Sequence, residues 1–161
     1  YNFLVDSDAL IKLTKSGLLE DICNCYKCII TTEVKNESVY EGKKRLYKDA
    51  LKIEDAINKK LMNIADLKRL RKIKENLGKG EISTLNLYFE EKNSVIVTDD
   101  SAFIKYLEEN NIKFFLPADL ILLMKVSNKI DKETALRCLK KIKHFIRENV
   151  YNDIKKDIME V

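Results

Sequence analysis

One histidine, one proline and four glycines among 161 residues remove several possibilities at once. Zinc sites usually draw on two paired Cys/His units. With His144 alone, the cluster Cys23-Asn-Cys25-Tyr-Lys-Cys28 lacks a second pair. Reduced, partly buried thiols are expected at Cys23, Cys25, Cys28 and Cys138, in preference to structural zinc. No apolar run approaches the ~18 residues of a membrane span. No charged-then-apolar leader precedes Phe3, so the expected location is the cytoplasm, with no membrane partner. With 45% hydrophobic and 35% charged residues the chain is neither disordered nor a membrane protein. Sparse Pro and Gly beside abundant Lys, Glu and Ile suit a heat-adapted source, and an AT-rich genome would bias codons the same way.

What the chain does have is apolar runs that end in acid. Phe3-Leu-Val delivers Asp6, Ser7 and Asp8; Ile29-Ile30-Thr31-Thr32 runs into Glu33 and Glu37; Val95-Ile96-Val97-Thr98 runs into Asp99 and Asp100. Glu81 follows Gly80 at a helix start. Each acid also has an ordinary reading: Ser7, Asp8 or Asp99 as an N-cap, Glu81 or Asp100 as complement to a helix dipole. Capping alone leaves unexplained why acids stand at all four junctions. Carboxylates gathered at one edge repel, and such a site normally needs hard cations, Mg²⁺ or Mn²⁺, that prefer oxygen ligands.

The pattern predicts strands at 2–6, 27–31, 94–98 and 112–115, with helices between them. One begins at Ser7 or Asp8 and is broken by Gly17, another follows Thr32, and a third is opened by Pro117. Asp131 is expected to cap a long amphipathic helix through Ile146, and a further helical segment starts at Val150. Glu33 and Glu37 stand four apart, on one helical face, so both are expected to point at Asp6. Strands alternating with helices imply an α/β fold, a central parallel sheet of about four to five strands with helices on both faces. The expected organisation is an α/β unit over 1–126, with C-terminal helices at 127–161 packed on the same domain. His144, on a Lys-rich helix, reads as a surface or groove residue and not a ligand.

Residues 42–79 read as helix nearly throughout, with a break around Asn58 to Asp66. They hold thirteen Lys and Arg against five acids, a charge of +8 in a chain that carries +4 overall. A basic arm beside an acidic centre suits an enzyme acting on a polyanion, and two solvated helices in a Lys-rich protein explain the composition equally well. Lys68, Arg69, Arg71 and Lys72 are the candidate RNA contacts.

Four motifs then carry a family resemblance: Phe-Leu-Val-Asp6-Ser-Asp8-Ala-Leu-Ile, Thr32-Glu-Val-Lys-Asn-Glu37, Gly80-Glu81-Ile-Ser-Thr-Leu and Val-Thr98-Asp-Asp100-Ser-Ala-Phe103. In order and at this spacing, they resemble the acidic motifs of PIN-domain ribonucleases. The likeness spans about residues 3–126, including Leu-Pro117-Ala-Asp. It implies a Mg²⁺- or Mn²⁺-dependent endoribonuclease with Asp6, Glu37, Glu81 and Asp100 as its acidic quartet. Asp8 and Asp99 are further candidate ligands, and Ser7 and Thr98 would orient carboxylates through their hydroxyls. RNA is the implied partner. A VapC-like toxin would add an antitoxin protein, a stand-alone RNA-processing enzyme would not, and a homodimer is a further expectation. Asp6-Ser-Asp8 also resembles the Asp-x-Asp of haloacid-dehalogenase-type phosphatases, a reading that gives Glu37 and Glu81 no work. A non-catalytic PIN fold that binds RNA or protein is the third reading.

Overall fold

The structure, a computed structural model, describes residues 1–44, 47–73 and 76–161. Arg45, Lys74 and Glu75, counted above in the basic stretch, lie outside the described residues. The elements in chain order begin with β1 (Asn2–Val5), α1 (Ser7–Ser16), α2 (Leu19–Cys25), β2 (Lys27–Thr31) and α3 (Thr32–Lys35). A π-helical segment (Asn36–Glu41) then leads to α4 (Gly42–Lys44), α5 (Lys48–Asn58), β3 (Asn63–Ala65) and α6 (Lys79–Glu90). The chain ends through β4 (Ser94–Val97), α7 (Ser101–Glu109), β5 (Phe114–Phe115), α8 (Pro117–Val126), α9 (Lys132–Lys141), a 3₁₀ turn (Lys143–Phe145) and α10 (Glu148–Glu160).

The five strands form one parallel sheet in the order β3-β2-β1-β4-β5. Its alternation of side chains builds two cores. Phe3, Val5, Cys28, Ile30, Val95 and Val97 face a layer that includes Leu10 and Leu13 of α1, Ile53 of α5, Leu120 and Ile121 of α8, Leu139 of α9 and Ile154 of α10. Leu4, Ile29 and Ile96 face Leu85 and Leu87 of α6 and Phe103 and Leu107 of α7. Near-continuous apolar strands are what burial on both faces demands. The helices after residue 126 contribute Ala135, Cys138, Ile142, Tyr151 and Ile158 to the first of these cores.

Several expectations need correction. The cap of α1 is Asp6, whose Oδ1 accepts the Ala9 N–H at 2.8 Å, in place of Ser7 or Asp8. The described residues 66–73 and 76–78 are not helical, although the Lys, Arg and Leu of this stretch are good helix formers. Leu67, Ile73 and Leu77 lie instead against the α6/α7 core, and tertiary burial overrides the local preference. A short edge strand, β3, precedes that stretch where a helix break was expected. The helix after Asp131 stops at Lys141 although its apolar period continues, because the chain turns at Ile142 and α10 comes back onto α8 and α9. His144 is exposed on the 3₁₀ turn at this joint. In the cysteine cluster Cys25 is exposed, Cys23 half-buried and Cys28 buried. Contact with Cys23, together with burial, pushes the Cys28 thiol up, and the protonated thiol is not the metal-binding form.

Gly17 ends α1 in the left-handed region at φ 83°, donating its N–H to the Thr14 carbonyl at 3.1 Å. An added Cβ would also stand 3.3 Å from Lys141 Nζ. Gly17→Ala should cost about 1 kcal/mol in urea unfolding, the usual penalty for a side chain in this conformation. A variant as stable as the parent would show that the helix end relaxes freely.

Candidate metal centre at the carboxyl edge

In a parallel sheet every strand ends on the same side. The chain moves outward from β1 through β2 to β3, then returns to place β4 on the other flank of β1. The gap between β1 and β4 is therefore the topological switch point, where open α/β sheets bind ligands. Asp6 follows β1 and Thr98-Asp99-Asp100 follow β4, so both stand at that gap.

Asp6 is 2% exposed. One of its oxygens caps α1, and the other accepts the Thr98 hydroxyl hydrogen. Thr98 Oγ1 in turn accepts the Asp100 N–H at 3.1 Å, so one hydroxyl ties the two acids together. Asp100 caps α7, with Oδ1 accepting the Phe103 N–H at 2.9 Å. The N-cap at this junction is thus Asp100 and not Asp99. Glu37 is carried by the π-helical segment, which changes the phase that a plain α-helix would give. Its Oε2 accepts the Ser7 hydroxyl hydrogen at 2.5 Å and its Oε1 the Gly80 N–H at 2.9 Å. A Cβ on Gly80 would fall 2.6 Å from that carboxylate, so only glycine permits this approach. Glu33 does not share the contacts of Glu37: its Oε2 is buried and has no hydrogen-bond partner among the described residues.

Electrostatics divides the acids into two groups. Asp8 and Asp99 belong to cations: Lys12 Nζ lies 3.0 Å from Asp8 and 2.5 Å from Asp99, and Arg147 lies 3.6 Å from Asp99. Burial works against charge on Lys12, but the hydrogen bonds to Asp99 and Asp8 more than offset it and raise its pKa. Asp6, Glu37, Glu81 and Asp100 have no ion pair among the described residues. Burial pushes the Asp6 carboxyl up to about 8; the bonds from Thr98 and Ala9 oppose this, and the charges of Asp8 and Glu81 add to it. Burial also raises Glu81, opposed by nearby main-chain N–H groups and reinforced by Asp100 and Glu37. Asp100 and Glu37 thus act on Glu81, and Glu81 in turn acts on Asp6.

An edge crowded with carboxylates and short of protein cations suits a hard divalent ion. Among the described residues, no three acids, Cys or His form a ligand set, and Asp6, Glu37 and Asp100 are each turned to hydrogen bonds of their own. Lys12, Arg147 and Gly80 were missed in the sequence. Lys12 could have been found from its i+4 spacing to Asp8 and Gly80 from its place before Glu81, whereas nothing local links Arg147 to Asp99.

A family model described as a PIN domain matches residues 2–160, beyond the 3–126 that the motifs carry. The chain belongs to the PIN-domain family. Among solved structures it is similar to a PilT N-terminus domain protein from the hyperthermophilic archaeon Sulfolobus solfataricus P2, at 17% identity and a TM-score of 0.51. That likeness covers 74% of this chain and 90% of the other, and it concerns the fold alone. No curated protein matches the chain. PIN domains are generally nucleases that use divalent metal ions. Family membership removes the phosphatase reading, and Asp8, the acid/base it would need, is paired with Lys12. No helix among the described residues is long and apolar enough to cross a membrane.

Folding makes Asp6 a stronger binder of protons, since its value rises from 3.8 to about 8. The metal-free protein should accordingly lose stability as pH rises from about 4 to about 8, where the folded state must give up a proton it prefers to hold. Asp6→Asn keeps a capping oxygen and removes the titration. In urea unfolding with EDTA the variant should lack this slope and at pH 8.5 exceed the parent by an amount on the order of a few kcal/mol. A variant less stable than the parent at that pH would mean that ionised Asp6 supports the fold.

Proposed function

We propose that the protein is an endoribonuclease that cleaves RNA phosphodiester bonds with Mg²⁺ or Mn²⁺. The observation that carries this reading is the quartet at the switch point, four carboxylates that share one edge while the nearby cations Lys12 and Arg147 are committed to Asp8 and Asp99. Asp6, Glu37, Glu81 and Asp100 would hold the ion. When bound, a hard divalent cation supplies charge that stabilises the phosphodiester transition state and acidifies water.

The protein's own groups divide the remaining work. Thr98 fixes the Asp6 carboxylate and the Asp100 main chain, and Ser7 with the Gly80 N–H fixes Glu37. Such outer hydrogen bonds determine which carboxylate lone pairs face the ion. Lys12 holds Asp8 and Asp99 out of the quartet, which argues against either as a ligand. The side chains of Lys68, Arg69, Arg71 and Lys72 are exposed and follow β3, whose end lies at the same edge, which supports a role for them in taking the RNA backbone. Asn86 secures that loop: its Oδ1 accepts the Arg71 N–H at 2.8 Å. Single strands and loops are the expected substrates, because unpaired nucleotides can be splayed out to bring one phosphodiester to the quartet.

Mn²⁺ or Mg²⁺ should support cleavage of single-stranded RNA by the purified protein, and EDTA should abolish it. Asp100→Asn and Glu81→Gln should each lower kcat at least about a hundredfold, by loss of charge where transition-state charge develops. Metal-independent cleavage that co-purifies and survives these changes would overturn the reading.

Thr98→Val removes the shared hydroxyl and keeps the shape of the side chain. It should weaken Mn²⁺ binding, measured by calorimetry, by roughly 10- to 100-fold, the usual range for a lost outer-shell partner. Unchanged Mn²⁺ affinity would assign Thr98 to the backbone turn alone.

A further inference from the structure

The segment from Arg137 to Arg147 has five Lys and Arg and no acid, a charge of +5 against +4 for the whole chain. Ordinary solvated surfaces intersperse both signs. Arg137, Lys140, Lys141, Lys143, His144 and Arg147 are all exposed. Among the described residues Lys141 and Lys143 make no ion pair, and Arg147 makes only the 3.6 Å contact to Asp99.

Three contacts orient this joint between α9 and α10. Lys141 Nζ reaches the end of α1, 3.3 Å from the position of a Cβ on Gly17. Lys15 Nζ sits 4.6 Å from the centre of the Phe145 ring. Arg147 meets Asp99, beside the quartet member Asp100. Residues 141 to 147 therefore run alongside α1, from its far end towards the carboxyl edge, advancing about 8 Å past the span from Gly17 to Lys12. The cations of α1 are already engaged, Lys15 by Asp49 at 2.7 Å and Lys12 by Asp8 and Asp99. The unspent positive charge on this flank belongs to the joint.

The sheet order gives that charge a direction. The Lys68 to Lys72 loop follows β3, whereas Arg147 reaches the residue pair after β4, and β2 and β1 lie between. At ~4.8 Å per strand the two basic sectors are offset by roughly 15 Å along the sheet edge, the loop on the α6 face and the joint on the α1 face, with Asp6 at the end of β1 between them. We propose that the α9–α10 joint, through Lys141, Lys143 and Arg147, is a second RNA-backbone track, which receives the strand after it has crossed the acidic quartet from the β3 loop. This rests on the nuclease reading for its direction, and on charge and geometry for its existence. Arg147 has a double role, holding Asp99 aside while offering its remaining guanidinium N–H groups to a phosphate.

The test is binding of a fluorescein-labelled 12-nucleotide oligouridine RNA in EDTA, titrated at several salt concentrations. Each phosphate neutralised contributes a slope of about −0.7 on single strands. The triple variant K141Q/K143Q/R147Q should therefore flatten the slope by about 2, so that between 50 and 200 mM salt the parent loses roughly twentyfold more affinity than the variant. The charge-preserving K141R/K143R, with Arg147 kept, should bind as the parent does. Combining the triple change with replacement of Lys68, Arg69, Arg71 and Lys72 by Ala should add the two effects, as expected for separate contacts. Should the triple variant fail to fold, by thermal unfolding, K143Q alone should still shift the slope by about 0.7. Unchanged affinity and slope in the triple variant would overturn the proposal and leave the joint as a solvated face or a protein contact. A charge-preserving variant that bound as weakly as the triple would overturn it too, by showing a structural role. The two readings fail separately. Cleavage with an unmoved slope removes the track and leaves the nuclease, whereas a moved slope without cleavage in any divalent ion removes the nuclease and leaves the track.

Discussion

Everything at the carboxyl edge depends on one constraint: Asp6 is a buried carboxyl at the end of the central strand that, among the described residues, has no cation paired with it. Its position is fixed before any chemistry is considered. Phe3 and Val5 pack into one core and Leu4 into the other, so the strand cannot slip by a residue without turning both sets to the wrong face. Asp6 N–H still continues the sheet, donating to the Val97 carbonyl at 3.1 Å. The first residue past the apolar run is thereby held beside the end of β4, where Thr98 meets it. Burial disfavours charge on Asp6, and the neighbouring acids increase that cost. A site built in this way has little electrostatic comfort until a positive ion enters.

The same residues serve as caps and as acids, and the two roles are compatible because a carboxylate has two oxygens. Asp6 and Asp100 each give one oxygen to a helix N-terminus, which anchors the side chain in one rotamer. The helix dipole makes negative charge at that point less costly. Capping is thus part of how the fold tolerates these acids. Lys12 completes the design by removing Asp8 and Asp99 from the cluster, which leaves fewer charges to repel one another at the switch point.

Much of this was legible in the sequence, for a physical reason. Buried parallel strands have to be apolar throughout, so Phe3-Leu-Val, Cys28-Ile-Ile and Val95-Ile-Val announce themselves, and the residue that ends each run lies at the functional edge. Gly17 and Pro117 mark boundaries through backbone geometry that few other residues accept. The misreadings have equally specific origins. The π-helical segment at Asn36–Glu41 has no compositional signature, so the shared face of Glu33 and Glu37 dissolved. The three residues of β3 are mostly exposed and too short to alternate visibly. Residues 66–78 have helix-forming chemistry, but the sheet's second face needs covering beside α6 and α7, and Leu67, Ile73 and Leu77 supply part of that cover.

That last override also bears on how the basic charge is presented. In a helix, Lys68, Arg69, Arg71 and Lys72 would project around a cylinder, at 100° per residue, and only some could face one strand of RNA. In an irregular segment pinned by Asn86 at Arg71 and by leucines on either side, the backbone lies along the protein surface, and all four side chains are exposed on it. The Arg71 guanidinium also rests 5.6 Å from the Phe89 ring, which limits its freedom without cancelling its charge. Two short basic segments, one after β3 and one between α9 and α10, thus flank the acidic edge, and among the described residues Arg147 alone of their cations pairs there, with Asp99 outside the quartet. Separation of this kind permits opposite charges to coexist on one small domain: within ~8 Å at physiological salt the acids dominate their own surroundings, and beyond it the cations attract the polyanion independently.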